Sequence, residues 1–355
     1  MAAHPRVILG LSTFGPDTTK GARVTDIDEA VGILDYYRSR GYSELDTARA
    51  YNGEQQEGFL RKMQWQDKGA VVATKIMPPQ RGRTYKATNV FESFETSLKE
   101  LGAESVDTLY LHTADRSTPF EETLEALDTL HRAGKFRRLG LSNFAAFEVA
   151  EIVMTCKFRG WVRPTVYEGL YNCMQRGIEA ELIPVCRRYG LSIVAYSVTA
   201  GGLLSGAIRT TDTSKIAETS RFSNKFNGPG NNYKERYLKD VVLEARGVIE
   251  TAASTHSIPL LEAVWRWTVH HSALKVATAA NHFDPQRKDG LILGVSSVEQ
   301  LAQNLDAIEK GPLPVDVVAA FDEAWTMAKG EQANYYRGTL EYTYDAPAVL
   351  FGADG

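Results

Sequence analysis

The chain has 355 residues, 43% of them hydrophobic, enough to bury a large core and too many for a disordered chain. Its 40 basic residues against 44 acidic ones leave a formal charge of −4, so no bulk field favours nucleic acid or an anionic membrane, and any anion has to be met locally. The opening MAAHPRVILGLSTFG lacks a basic segment leading into a long apolar run, and no stretch approaches about 20 apolar residues, so a soluble, cytoplasmic protein is expected.

Short β-branched runs alternate with longer segments of helical period. The first predicted strand is RVILGLS (6–12), followed by a helix bracketed by Thr25 and Gly41 with Ile27, Val31 and Leu34 facing inward. Strands SELDTA (43–48), AVVATK (70–75) and VDTLYLH (106–112) come next. Thr118, Pro119 and Glu121 then supply an N-cap, a first-turn proline and a capping-box acid, Gly134 closes the helix, and Phe120, Leu124, Leu127 and Leu130 form its buried stripe. RRLGLSN (137–143), PTVYEG (164–169), SIVAYS (192–197) and LILGVSS (291–297) complete eight strands. Residues 198–234, rich in Gly, Ser and Asn, and residues 272–289 are longer excursions of the kind that serve as lids or binding loops. Cys156, Cys173 and Cys186 have neither CxxC nor zinc spacing, which predicts free, buried or half-buried thiols in a reducing compartment and no metal site.

Eight strand-then-helix units over this length are what a closed (β/α)8 TIM barrel requires. The structural rival, a doubly wound sheet, calls for a phosphate-binding glycine turn, yet no GxGxxG follows a predicted strand and GxxxxGK[ST] is absent. No linker divides the chain, so residues 1–355 read as one domain with 338–355 as a C-terminal extension.

In such a barrel the C-terminal strand ends meet around one mouth. They carry Asp46, with Tyr51 just beyond, then Lys75, His112, Ser142 and Asn143. Each has a plainer role alone: Asp46 as a turn cap, Tyr51 as a half-buried aromatic, Lys75 as a snorkelling strand terminator, His112 as a core histidine. All four at successive strand ends fit chemistry better than chance. A phenol with a free pKa near ~10 needs a neighbouring cation to act near neutrality. Lys75 supplies that cation, Asp46 keeps it charged, and His112 meets a substrate oxygen. The set suits protonation of a carbonyl oxygen while something else delivers a nucleophile to carbon.

The motifs LDTARAYNGE, VATKI, LYLHTAD, LGLSNF, PTVYEGLYN, AGGLLSG and LGVSSVEQLAQNL resemble those of aldo-keto reductases, in order and spacing, from about Val7 to Arg337. The nearest branch contains aflatoxin-aldehyde and succinic-semialdehyde reductases. The resemblance implies a barrel that binds NADP(H) without a Rossmann motif and reduces a small aldehyde or ketone by direct hydride transfer. It makes Tyr51 the general acid, has Lys75 and Asp46 tune it, has His112 orient the carbonyl, and lists Asp46 among the cofactor contacts. It places Ser142, Asn143 and Glu168 at the nicotinamide and wraps the pyrophosphate with Ser197, Val198, Thr199, Ala200, Gly201, Gly202, Leu203, Ser205 and Gly206. Arg221, Ser296, Ser297, Gln300, Gln303 and Asn304 would hold the 2′-phosphate. Tyr233 and Arg337 would face the substrate, Arg337 meeting a carboxylate.

Plainer readings stay open for several of these: Ser142 and Asn143 as a capped start to the helix AFEVAEIV, the glycine segment as a flexible loop, and Ser296 as an ordinary N-cap. Three features depart from the family. Glu168 stands where Gln is common, YSVTAGG replaces YNPLAGG, and the chain continues beyond Arg337. An ionised carboxylate accepts hydrogen bonds but cannot donate one, so Glu168 changes the nicotinamide contact. These departures leave an alternative, an NADP(H)-binding regulatory or interaction protein with weak or no turnover. A homodimer is compatible with either.

Overall fold

The structure, a computed structural model, describes residues 5–77, 84–218, 220–224, 230–276 and 288–352. The strands are β1 (Arg6–Gly10), β2 (Glu44–Asp46), β3 (Val71–Ile76), β4 (Val106–Leu111), β5 (Phe136–Ser142), β6 (Pro164–Leu170), β7 (Ser192–Tyr196) and β8 (Gly290–Gly294). All eight predicted runs form strands. They pair in parallel in chain order, and β1 also pairs with β8, with Gly10 opposite both Asp46 and Gly294, which closes the barrel. Around it lie α1 (Ile27–Ser39), α2 (Gln56–Lys62), α3 (Ala87–Leu101), α4 (Phe120–Arg132), α5 (Ala146–Arg159), α6 (Leu182–Tyr189), α7 (Gly230–Tyr237), α8 (Asp240–Thr255), α9 (Leu260–His270), α10 (Val298–Ile308), α11 (Val315–Ala328) and the short C-terminal α12 (Ala346–Phe351). The predicted (β/α)8 TIM barrel is the observed fold.

Strand alternation sorts side chains into two layers. Leu9, Leu45, Val72, Leu109, Leu141, Tyr167, Ile193 and Leu293 belong to the large core beneath the helices, whereas Ile8, Tyr110, Val166 and Val194 fill the barrel itself. Tyr110 lies across the barrel because its neighbour on β5 is Gly140: a Cβ there would run into the phenol ring. The α4 stripe is buried as predicted at Phe120, Leu124, Leu127 and Leu130, each contributing about 1.5–3 kcal/mol.

Helix starts are where the sequence misleads. Helix α1 is capped by Asp26, whose side chain accepts from Glu29 N at 2.9 Å, rather than by Thr25. On its inner face Leu34 is buried with Ala30 and Ile33, while Ile27 and Val31 are half-buried. Helix α4 begins one residue late, with Pro119 at the cap position and the buried Thr118 hydroxyl unpartnered among the described residues. At α1 two adjacent polar residues compete for one cap, whereas α4 starts without a side-chain cap. Gly134 and Gly41 do end their helices, at φ 73° and 87°, in the left-handed region.

All three cysteines are free and buried, and burial pushes each thiol up to about 12. The excursion over 198–234 contains two short 3-10 segments, Ala200–Ser205 and Thr213–Lys215, and the start of α7. Most of the second excursion, residues 277–287, lies outside the described residues. The C-terminal extension docks on the β4–α4 loop: Thr343 N donates to the Arg116 carbonyl at 3.0 Å, and the Tyr342 ring meets Phe120 edge-on at 6.2 Å. None of the helices among the described residues is long and apolar enough to cross a membrane.

Candidate active site

Barrel closure brings Asp46, Tyr51, Lys75 and His112 together at the C-terminal mouth. Asp46 ends β2, and the chain then turns through a 3-10 segment, Tyr51–Glu54, in which Asn52 and Gly53 take left-handed φ of 48° and 62°. That turn sets Tyr51 above the strand ends. Lys75, fully buried on β3, donates from Nζ to Asp46 Oδ1, to the Thr47 carbonyl at 3.0 Å and to the Tyr51 hydroxyl at 3.3 Å. Its ammonium also lies 5.1 Å from the Tyr51 ring centroid and 5.7 Å from that of Tyr110. The His112 ring meets Tyr51 edge-on, centroids 5.8 Å apart.

The electrostatics follow from burial and from who faces whom. Desolvation disfavours the Lys75 ammonium, but Asp46, Glu168 and Tyr51 outweigh it and hold its pKa well above the usual lysine range. His112 is pushed the other way, first by burial and then by the charges of Lys75 and Arg337, so its imidazole is neutral. Its Nδ1 is buried without a hydrogen-bond partner among the described residues. The sequence suggests that a cation lowers the Tyr51 pKa. Burial raises it most; Lys75 does pull it down, but Asp46 and Glu168 add to the rise and the net shift is upward. Tyr51 therefore holds its proton firmly.

Glu168 sits on the inner face of β6, 3% exposed, with Oε2 at 3.3 Å from Lys75 Nζ, an ion-pair distance without hydrogen-bond geometry. Asn143, at a left-handed φ of 61°, ties three strand ends: its amide donates to the His112 carbonyl and to Ser142 Oγ, both at 2.9 Å, and its Oδ1 accepts from the Tyr196 hydroxyl at 2.6 Å. Neither Ser142 nor Asn143 caps α5. Glu148 does, accepting from Ala145 N at 2.7 Å, because the helix starts three residues after Asn143.

The glycine segment is two tight turns. Ser197 and Ala200 take positive φ (58° and 50°), and Gly201, Gly202 and Gly206 follow at 69°, 101° and 84°. Val198, Ala200 and Leu203 point into the core, Thr199 accepts through its carbonyl from Gly202 N, and Ser205 Oγ donates to the Gly202 carbonyl at 2.7 Å. Only backbone remains to face a ligand at most of these positions. Tyr233 covers the segment, its hydroxyl 2.9 Å from Ser197 Oγ, and a Cβ on Gly201 would stand 2.6 Å from its ring. Arg221 Nη1 donates to the same hydroxyl at 3.1 Å. Burial opposes ionisation of Tyr233, but Arg221, Ser197 and Arg236 bring its pKa below the ordinary value. Arg23, between β1 and α1, is held down to about 10 by desolvation and by the charge of Arg221. Two guanidiniums bearing on one another suit a polyanion, and Arg23 is a residue that sequence reasoning missed.

At the start of α10, Ser297 rather than Ser296 is the cap, accepting from Gln300 N at 3.2 Å. Ser296 instead donates through N and Oγ to Gln300 Oε1, both at 3.1 Å. Gln303 is exposed, while Asn304 is buried and engaged, with Oδ1 accepting from Trp265 Nε1 at 2.6 Å and the amide donating to the Gln300 carbonyl at 2.7 Å. Ser296, Ser297, Gln300 and Asn304 are tied to one another and to Trp265 by hydrogen bonds.

Arg337 is clamped by its backbone. Its N donates to the Asn143 carbonyl at 3.1 Å and its carbonyl accepts from Arg116 Nη1 at 2.8 Å. Arg116 in turn makes a two-bond pair with buried Glu148 at 2.7 and 3.0 Å, and Tyr342 of the extension donates to the same carboxylate at 2.8 Å. The Arg337 Nε is buried without a partner among the described residues. Tyr110, Tyr196 and the Arg116–Glu148–Tyr342 chain were also missed. Tyr110 had one signal, its position two residues before His112 on the same strand face.

The sequence profile described as the aldo/keto reductase family matches residues 6–326. Among similar proteins, an aldo-keto reductase of Pseudocercospora fijiensis is 39% identical over 86% of this chain and 100% of its own length. Aflatoxin B1 aldehyde reductase member 2 of Mus musculus is 40% identical over 94% of this chain and 88% of its own. Aldo-keto reductase family 7 member A3 of Homo sapiens is 40% identical over 94% and 98%.

Proposed function

The chain belongs to the aldo/keto reductase family of oxidoreductases, and from that membership we propose that it reduces an aldehyde or ketone to an alcohol with NADPH, as one 1–355 domain acting in the cytoplasm. The observation that carries the reading is the contact of Lys75 with both Asp46 and the Tyr51 hydroxyl beside a neutral His112. NADPH, when bound, supplies the hydride. Arg23 and Arg221, the backbone of Ser197 to Gly206 and the start of α10 form the donor set that would hold its phosphates. Asp46, Ser142, Asn143 and Glu168 line the part of the mouth assigned to the nicotinamide.

Tyr51 gives its proton to the carbonyl oxygen as negative charge develops there. Lys75 steadies the phenolate left behind, and Asp46 keeps that ammonium charged in a site where a lone buried cation would be costly. His112, uncharged, orients the same oxygen. Arg337 and Tyr233 face the substrate, and the guanidinium favours an aldehyde that also bears a carboxylate.

Steady-state NADPH oxidation with a panel of neutral and carboxylated aldehydes tests this. Tyr51→Phe is expected to lower kcat by about 10²–10⁴-fold with NADPH affinity kept. Full activity in that variant would remove Tyr51 as the acid. NADPH binding by the wild type with no turnover on any carbonyl would favour the regulatory alternative.

A further inference from the structure

We propose that Glu168 is a proton-holding acid of this cluster: it stays protonated at neutral pH, sharing Lys75 with Asp46, and its ionisation sets the alkaline limit of the reaction. The role for the reaction rests on the reading above; the proton does not. Glu168 points into the barrel from β6, opposite the strands that carry Asp46 and Lys75, and is cut off from water. Lys75 is the cation in contact with it, and that ammonium is already bonded to Asp46, the Thr47 carbonyl and Tyr51. Two carboxylates and one ammonium in a closed site leave one negative charge unpaired, and a buried pair of acids relieves that by keeping a proton. Asp46 holds the direct bond to Lys75, so the proton stays on Glu168, whose contact is longer.

The other ionisable groups that bear on it are phenols, Tyr51 beyond β2, Tyr110 on β4 and Tyr196 on β7. The neutral His112 lies across the mouth, and Arg337 faces His112 and Tyr196. In keeping with this geometry, burial first and the charge of Asp46 second push the Glu168 carboxyl up to about 8. Once Glu168 ionises, it raises the proton affinity of Tyr51 and competes for Lys75, so the phenol becomes a weaker acid. The family commonly has Gln at this position, which cannot ionise; the switch belongs to this chain.

Two measurements on the full-length protein test the proposal. Infrared difference spectra between pH 6 and pH 10 should show a protonated carboxylic acid band that disappears with a midpoint near 8 and is absent from Glu168→Gln. In kinetics with NADPH and an aldehyde, kcat/KM of the wild type should fall about tenfold per pH unit above that midpoint, while Glu168→Gln stays within about twofold of its neutral value through pH 9. A titrating band that survives in Glu168→Gln, or no such band in the wild type, overturns the proton. An alkaline limb unchanged in Glu168→Gln overturns its role in the reaction. A band that behaves as expected in a protein without turnover supports the proton and counts against the reductase reading instead.

Discussion

Replacing Glu148 by Gln should unlock the C-terminal segment. The carboxylate accepts four hydrogen bonds while fully buried: two from Arg116, one from Ala145 N and one from the Tyr342 hydroxyl. An amide of the same shape must turn its NH2 toward at least one of these donors, and it leaves the buried Arg116 guanidinium without a counter-charge. Breaking one side of a buried pair costs about 3–5 kcal/mol. Unfolding entropy of about 2.1 cal/mol/K per residue gives roughly 0.7 kcal/mol/K for a 355-residue chain, so Tm should drop by about 4–7 °C. Scanning calorimetry reads that directly. Tyr342→Phe loses only one bond to a charged acceptor, about 1.5–3 kcal/mol, and should shift Tm by about 2–4 °C. Because Arg116 also holds the Arg337 carbonyl, Glu148→Gln should raise KM for a carboxylated aldehyde more than for a neutral one of similar size. A Tm within 1 °C of the wild type would refute the account of this ion pair, and equal KM changes for the two aldehydes would refute its link to Arg337.

Further outcomes follow from the mouth itself. Lys75→Met leaves Asp46 and Glu168 without their cation, so NADPH turnover should fall by more than about 10²-fold, with proton uptake on folding measurable by potentiometric titration of the variant against wild type. Gly201→Ala forces an L residue to φ 69° with its Cβ 2.6 Å from the Tyr233 ring. It should cost about 1–3 kcal/mol and weaken NADPH binding in a fluorescence titration; unchanged affinity would show that the turn does not approach the cofactor. Folding lifts the Glu168 pKa from about 4.5 to about 8, so the folded protein keeps a proton that the unfolded chain has released. The stability from that group is therefore complete below about pH 4.5 and is lost as pH rises to about 8, at roughly 1.4 kcal/mol per unit. Denaturant midpoints across that window should fall more steeply for wild type than for Glu168→Gln, and parallel curves would contradict the shift.

The barrel was legible because its strands are short apolar runs and their polar residues gather at one end of each. Asp46, Lys75, His112 and Asn143 all stand at that end, and parallel pairing in chain order carries them to one mouth. What stayed hidden depends on closure or on distant segments. Tyr110 reads as an ordinary core aromatic until the barrel closes and sets it under the Lys75 ammonium. The contact of Glu168 with Lys75 joins β6 to β3, which are not neighbours in the sheet, so no strand-to-strand register reveals it. The Arg116–Glu148–Tyr342 chain joins a loop, a helix and the extension, 32 and 194 positions apart. Caps were misplaced by one residue at Thr25 and Ser296 because two candidate residues stand side by side, and at Thr118 because the helix starts after Pro119 with no side-chain cap.

The two ends of the barrel treat charge differently. Near the N-terminal ends of the strands the carboxylates meet guanidiniums: Arg6 bonds Glu44 at 2.8 and 2.6 Å, Arg137 and Arg138 pair with Asp107 at 2.7 and 3.0 Å, and Arg187 pairs with Asp289. There every one of these carboxylates has at least one guanidinium, as a structural plug requires. At the C-terminal mouth two carboxylates and a phenol share one ammonium, and the charges cannot all be satisfied at once. A guanidinium in place of Lys75 would settle the contest by bidentate pairing with one carboxylate. Lysine keeps it open, so the protonation of Tyr51 and Glu168 remains free to change when a substrate oxygen arrives. Among the described residues the shared ammonium stands at the C-terminal mouth, and the guanidinium pairs below supply the rigidity that lets it persist.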